Sequence, residues 1–272
     1  MIVVWGYMNK KGKVFMQFIL NFRKYRFLLY ELVKKEIKLK YRRSYLGILW
    51  TLLEPILTTI VLTFVFSNFQ GKKDPQFPVY ILTGRLLYYF FSTSTKGALR
   101  SIRKNAGMIK KVYVPKYIYP LSSILSNLFI FIMSLIVLIG ACIIFDVEPT
   151  WHMLQAVIPI IILVVLATGV GLIMATFAVF FRDLEYLYDV VLMLVMYCSA
   201  IFYTTDTFAD WKLRLIKMNP IFGCIENFRR SILEGANLDM VLLYYTAGLS
   251  ILSVIIGLYV FYKNQDKFIL NI

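Results

Sequence analysis

Four polar stretches of the 272-residue sequence carry side chains able to do chemistry, and each abuts apolar sequence. In the first, Arg42 and Arg43 stand before an apolar run and are followed by Leu46-Gly47, Trp50 and Glu54-Pro55. Arginine offers a planar fork of N–H donors that grips carboxylate or phosphate oxygens in pairs. Glu54, one turn deeper than Trp50, is costly in hydrocarbon unless a cation meets it, and a lysine or arginine of the same threshold is the expected partner. The second stretch, 98–117, holds Arg100, Arg103, Lys104, Lys110 and Lys111 around Met108-Ile109; the third is the Arg182-Asp183 turn. The fourth, 204–235, is too charged to span a bilayer and too apolar for an ordinary loop, and contains Asn219-Pro220 and Arg229-Arg230. Catalytic constellations are missing from the sequence. It contains no GxxxxGK[ST], HExxH or GxSxG. Asp183, Glu185, Asp206 and Asp210 form no convincing acid–base pair, His152 is alone, and Cys142, Cys198 and Cys224 lack metal-ligand spacing. The chemistry on offer is recognition of anionic groups, not bond-making.

The elements that must position these residues are membrane helices. The chain is 60% hydrophobic and 17% aromatic with mean hydropathy +0.71, against roughly 45–50% apolar residues in a soluble domain. A crossing needs ~20 apolar residues for ~30 Å of hydrocarbon, and candidates lie near 48–68, 79–97, 118–145, 156–181, 187–204 and 241–262. The second is interrupted by Arg85 and Lys96, and the fifth is short. The net charge of +15 would suit a nucleic-acid partner, but the basic residues flank apolar runs, which assigns them to anionic lipid and to orientation. With six crossings and both termini in the cytoplasm, 1–47, 98–117, Arg182 and the C-terminal tail gather a roughly threefold excess of Lys and Arg on the inside. The first residues, MIVVWGYMNKKGK, show no signal-peptide cleavage pattern.

Periodicity adds local expectations. Tyr25, Leu29, Val33, Ile37 and Tyr41 recur every four residues while Lys34, Lys35 and Lys38 fall away from them, which predicts an amphipathic helix on the cytoplasmic interface. Gly47 then permits a sharp turn into the first crossing. Ala167, Gly171 and Ala175 form a small-residue face for close helix packing, and Gly169-x-Gly171 lacks the rest of a dinucleotide fingerprint. The 204–235 stretch reads as two short helices dipping into the outer leaflet, broken at Asn219-Pro220. The resulting fold class is an all-α membrane protein: six transmembrane helices over 48–272, preceded by an interfacial segment over 1–47. Cytoplasmic loops at 98–117 and 182–186 and a re-entrant segment at 205–240 complete it.

Four stretches carry a family resemblance: YLGILWTLLEP (45–55), NAGMIKKVYVPKYIYPLSS (105–123), Phe181-Arg182-Asp183-Leu184, and MNPIFGCIENFRRSILEG (218–235). In that order they resemble the permease subunit of a type 2 ABC exporter, in the branch that moves lipid-linked polysaccharides such as teichoic acid and O-antigen. Arg85 departs from the apolar residue expected after the glycine of the second crossing.

The resemblance implies a homodimer bound to two copies of a separate P-loop ATPase, which would hold ATP and Mg; this chain itself would hold no cofactor and no metal. It implies a coupling contact through Arg103, Lys104, Met108, Ile109, Lys110 and Lys111, with Arg182 and Asp183 orienting a second contact through a local ion pair. The substrate would be a polyprenyl pyrophosphate bearing a glycan, met by a gate of Arg42, Arg43, Leu46, Gly47, Trp50 and Glu54. Tyr88, Tyr89 and Phe91 with Tyr197, Phe202 and Tyr203 would line a corridor for sugars, although four consecutive aromatics cannot all face one pore. Membrane lipids complete the partners, with no nucleic acid, in the bacterial cytoplasmic membrane. An exporter of a drug or small lipid, and a membrane enzyme of envelope glycan synthesis, are the alternatives.

Overall fold

A computed structural model describes residues 24–42, 44–67, 75–112, 114–204 and 208–271, and every regular element among them is helical. Arg43, Tyr113, Ile272, the first 23 residues and the links at 68–74 and 205–207 lie outside this description.

The first helix, α1 (24–41), buries Leu29 and Leu32 and leaves Lys34, Lys35 and Lys38 exposed, as its apolar stripe predicts. It docks on a cluster with Ile102, Ile109, Tyr117, Phe261 and Phe268 at one end of the bundle. Gly47 follows with φ +48°, the left-handed region that glycine enters without a Cβ penalty. A 3-10 turn, Gly47–Leu49, then opens α2 (Trp50–Phe66). Pro55 inside α2 has no N–H for the carbonyl of Thr51. Ser134 of α5 (Ile118–Ile144) supplies the missing donor, its Oγ lying 3.2 Å from that carbonyl oxygen.

The remaining helices are α3 (Phe77–Lys104), α4 (Ala106–Ile109), α5 (Ile118–Ile144), α6 (Val157–Phe180), α7 (Leu184–Tyr197), α8 (Asp210–Lys217), α9 (Pro220–Ile232), α10 (Met240–Asn264) and α11 (Phe268–Asn271). Helix α3 is the hub and packs on α5 and α6, while α10 packs along α6. The small-residue face does intramolecular work. Gly171 lies against Ala98 of α3, where an added Cβ would come within 3.0 Å, and Gly169 and Gly257 bring α6 and α10 into backbone contact.

Four segments among the described residues are long and apolar enough to cross a membrane: Gly47–Phe66, Ile118–Ile144, Trp151–Phe180 and Met240–Asn271. The other two expected crossings differ from the sequence reading. Helix α3 has 28 residues but runs on through Lys104, so the first part of the basic loop 98–117 is helix. Helix α7 has 14 residues, about 21 Å at 1.5 Å per residue, and the chain turns at Cys198–Ala200 where Ala200 adopts φ +48°. The expected run 187–204 is therefore not one helix.

The odd stretch after α7 forms two short helices, α8 and α9, with the break where Asn219-Pro220 places it. Asn219 caps α9 by accepting from Ile221 N at 3.0 Å, and Pro220 takes the first helical position, where its missing N–H costs nothing. Helix α9 is buried on most sides, against α3, α6, α10 and the 3-10 turn Trp151–Ala156.

Candidate functional site

The threshold before α2 is assembled from three helices. Arg42, Leu46 and Trp50 are exposed, and Gly47 makes the turn between them. Arg43 falls outside the described residues. One turn deeper, Glu54 turns inward to a small pocket of about 20 Å³ shared by Tyr41, Pro55, Arg85, Tyr89 and Ser134. Its partners come from α3: Tyr89 donates its hydroxyl to Glu54 Oε2 at 3.1 Å, and Arg85 Nη2 lies 4.0 Å from Oε1. The expected partner from the same threshold is thus corrected to Arg85, and the residue that departed from the family pattern has a structural reason. A carboxylate in an apolar bundle is tolerated when a cation and a hydrogen-bond donor meet it. Burial, and then the Glu54 charge, push the Tyr41 hydroxyl up to about 12 at the edge of this pocket.

Above the pocket, α2, α3 and the end of α7 enclose a cavity of about 520 Å³. Tyr88, Tyr89, Tyr197 and Phe202 line it beside Arg85 and Phe66. Phe202 stacks on Phe66 with ring centroids 4.9 Å apart, and Tyr88 donates to the carbonyl of Leu192 at 2.6 Å. Two expected members lie elsewhere. Phe91 is only 5% exposed and packs in the core, on the opposite face of α3 from Tyr89. Tyr203 stacks on Phe208 and donates to the Tyr197 carbonyl at 2.6 Å.

At the far end of α3, Met108 and Ile109 of α4 pack into the bundle while Lys110 and Lys111 stay exposed. Arg103 is half-buried and Lys104 exposed. Arg182 and Asp183 are both exposed, and no ion pair joins them among the described residues. The charge contact at this corner is instead Arg100 with Glu185.

Arg229 and Arg230, adjacent in sequence, have opposite fates. Arg230 is half-buried and donates from Nε to the Asn237 carbonyl at 3.2 Å. Arg229 is 2% exposed, the largest fully buried side chain described. Its guanidinium donates to the carbonyls of Ala200 (2.8 Å), Tyr80 (3.0 Å) and Ile201 (3.2 Å) and lies 3.5 Å from the centre of the Tyr80 ring. It joins α9, α3 and the turn after α7 at one point. The sequence placed it with Arg230 in the charged re-entrant stretch and did not separate the two. The available signal was its place on the stripe of Ile221, Ile225, Phe228 and Ile232, all buried.

No cluster of three or more potential metal ligands occurs among the described residues. Apolar helices of bilayer length, with a charged pair and an aromatic cavity between them, define a polytopic membrane protein. The chain belongs to the ABC-2 type transporter family, which it matches over residues 28–233. It is 29% identical over 244 residues to the O-antigen export system permease protein RfbA of Klebsiella pneumoniae, covering 89% of this chain and 93% of the relative. A protein of the same name from Myxococcus xanthus is 29% identical over 248 residues, covering 90% and 95%. The polysialic acid transport protein KpsM of Escherichia coli is 23% identical over 249 residues, covering 87% and 93%.

Proposed function

We propose that this chain is the membrane permease of an ABC exporter that carries a lipid-linked polysaccharide out of the cytoplasm. The observation that carries this reading is end-to-end similarity to O-antigen and polysialic acid export proteins. The test is a strain lacking the protein. Glycan should vanish from the cell surface and accumulate inside on its lipid carrier, with both reversed by the wild-type chain. A strain that instead stops making the lipid-linked glycan would point to an enzyme of its synthesis.

In this reading the chain crosses the bacterial cytoplasmic membrane six times, with α3 inside the bundle and α7 at its edge joining the four apolar crossings, and with both termini inside. Helices α8 and α9 enter the outer leaflet and return. A separate ATPase binds and hydrolyses MgATP and docks on the end bearing α4, where Lys110 and Lys111 face outward beside the anchored Met108 and Ile109. Two copies of the chain around a two-fold axis would enclose a wider path than one. The exposed apolar residues of α2 and α7, among them Leu57, Val61, Val190 and Leu194, suit that contact. The pyrophosphate head would meet Arg42 and Arg43 at the threshold, and the sugars would pass the aromatic faces of Tyr88, Tyr89, Tyr197 and Phe202.

One labelling experiment checks both orientation and docking. In a cysteine-free background, a cysteine at Asn105 should resist an impermeant reagent in intact cells and react in inside-out vesicles. Bound ATPase should then protect it. Cysteines at Gln76 and Asp210 should react in intact cells, and labelling of Asn105 from outside would invert the topology.

A further inference from the structure

Where α1 crosses the ends of α3 and α5 there is a cleft of about 500 Å³, in the size range of small-ligand sites. Four cations line it, Lys40 of α1 and Lys96, Arg100 and Lys104 of α3, against one lining carboxylate among the described residues, Glu36. The α3 cations recur at four-residue spacing and so share one face. Glu36 is already engaged, because Ser126 Oγ donates to its Oε2 at 2.9 Å. Asn127 adds an amide to the wall. Lys40 and Lys104 have no carboxylate within 4 Å among the described residues. Burial lowers the pKa of Lys40, and the Glu54 charge only partly offsets this.

The other two cations are shared with a neighbouring helix. Lys96 Nζ lies 2.7 Å from Asp189 Oδ1, and Arg100 pairs with Glu185, so two ion pairs one turn apart tie α3 to the start of α7. All four side chains are partly exposed, and pairs of that kind contribute roughly 0–1 kcal/mol each. They are easily exchanged for a stronger anion. Deeper along the same seam, Tyr188 donates to Thr95 Oγ1 at 2.8 Å and Tyr88 to the Leu192 carbonyl at 2.6 Å. These two bonds can hold the helices together while the outer pairs open.

We propose that this cleft binds the phosphate or diphosphate group of an anionic ligand, which draws Lys96 and Arg100 from Asp189 and Glu185 and so releases the start of α7 from α3. A diphosphate presents several acceptors to Lys40, Lys104 and the arginine fork, and such charge-assisted bonds are stronger than those of neutral groups. The group can belong to a lipid headgroup or to a soluble anion. For the lipid, the inference rests on the export reading; binding itself requires neither glycan nor ATPase. The site is distinct from Arg42, which is not among the residues that line the cleft.

The experiment is calorimetric titration of the full chain, held in phosphatidylcholine nanodiscs, with inorganic pyrophosphate and separately with farnesyl diphosphate. Saturable binding is expected. Lys40→Gln with Lys104→Gln should weaken it about tenfold or more, the worth of at least one charge-assisted bond. Asp189→Asn with Glu185→Gln should tighten it about threefold to tenfold, because the anion no longer competes with two weak ion pairs. Tighter binding of farnesyl diphosphate than of pyrophosphate assigns the site to a lipid headgroup, and equal affinity assigns it to a soluble anion. Absence of saturable binding to both, or wild-type affinity in the Lys40/Lys104 variant, overturns the site. Unchanged or weaker binding in the Asp189/Glu185 variant overturns the release of α7. All of these outcomes leave the surface-glycan test of export unaffected.

Discussion

Arg229→Met is expected to lower the apparent Tm of the detergent-purified protein by about 6–12 °C, on a cost of about 3 kcal/mol and the usual 2–4 °C per kcal/mol for a chain of this size. The size follows from what is lost. A buried guanidinium donates three hydrogen bonds to carbonyls and lies over the Tyr80 ring. Methionine fills most of the volume but donates nothing, leaving the Ile201 carbonyl and much of the need at Ala200 unmet in a low-dielectric interior. Tyr80 suffers least, because Thr83 also donates to its carbonyl at 2.8 Å. Arg229→Lys keeps the charge but replaces the rigid fork with a compact ammonium, so a drop of at least half that of Met is expected. Gly84→Ala should reproduce the defect from the other side, since its Cβ would come within 2.6 Å of Arg229 Nη2. Wild-type stability in Arg229→Lys would show that charge alone suffices and that the three-carbonyl geometry is incidental.

The same residue shows where the sequence was readable and where it was not. Long apolar runs are local and continuous, so α5, α6 and α10 emerge close to their expected bounds. The break at Asn219-Pro220 and the turn at Gly47 are legible because each rests on one residue's backbone chemistry. The end of α7 is different. Nothing apolar stops at Tyr197; the turn depends on Ala200 accepting a left-handed conformation while Arg229, 29 positions later, holds its carbonyl. The partner of Glu54 was hidden for a similar reason. A carboxylate announces that it needs a cation, but several basic residues near the threshold satisfy that need on paper. Only the packing of α2 against α3 selects Arg85, 31 positions away. The aromatic cavity was half legible: the run Tyr88-Tyr89-Phe90-Phe91 must wrap the helix, and periodicity alone does not say which pair faces inward. Tyr88 and Tyr89 do, while Phe90 and Phe91 belong to the core.

The Glu54–Arg85 pair supports the second large effect. Arg85→Leu removes the cation and leaves Glu54 held by the Tyr89 hydroxyl alone, and breaking a buried pair this way typically costs about 3–5 kcal/mol. The 4.0 Å separation and the partial exposure of both side chains place this pair at the lower end or below it. Glu54→Gln should cost less, because the amide still accepts from Tyr89 and Arg85 keeps access to the aromatic cavity it also lines. The combination Glu54→Gln/Arg85→Leu is expected to recover at least about 1 kcal/mol relative to the sum of the single changes, the usual coupling of residues in contact. Recovery of stability need not restore export. Arg85 lies where the charged threshold meets the aromatic cavity, so removing it also removes the one cation that borders both spaces among the described residues. The double variant should therefore insert and melt higher than additivity of the single changes predicts, while surface glycan falls and lipid-linked glycan accumulates inside. Strict additivity of the two single changes in Tm would show that the residues are neighbours without being partners. Wild-type export by the stable double variant would reduce the pair to a packing device between α2 and α3.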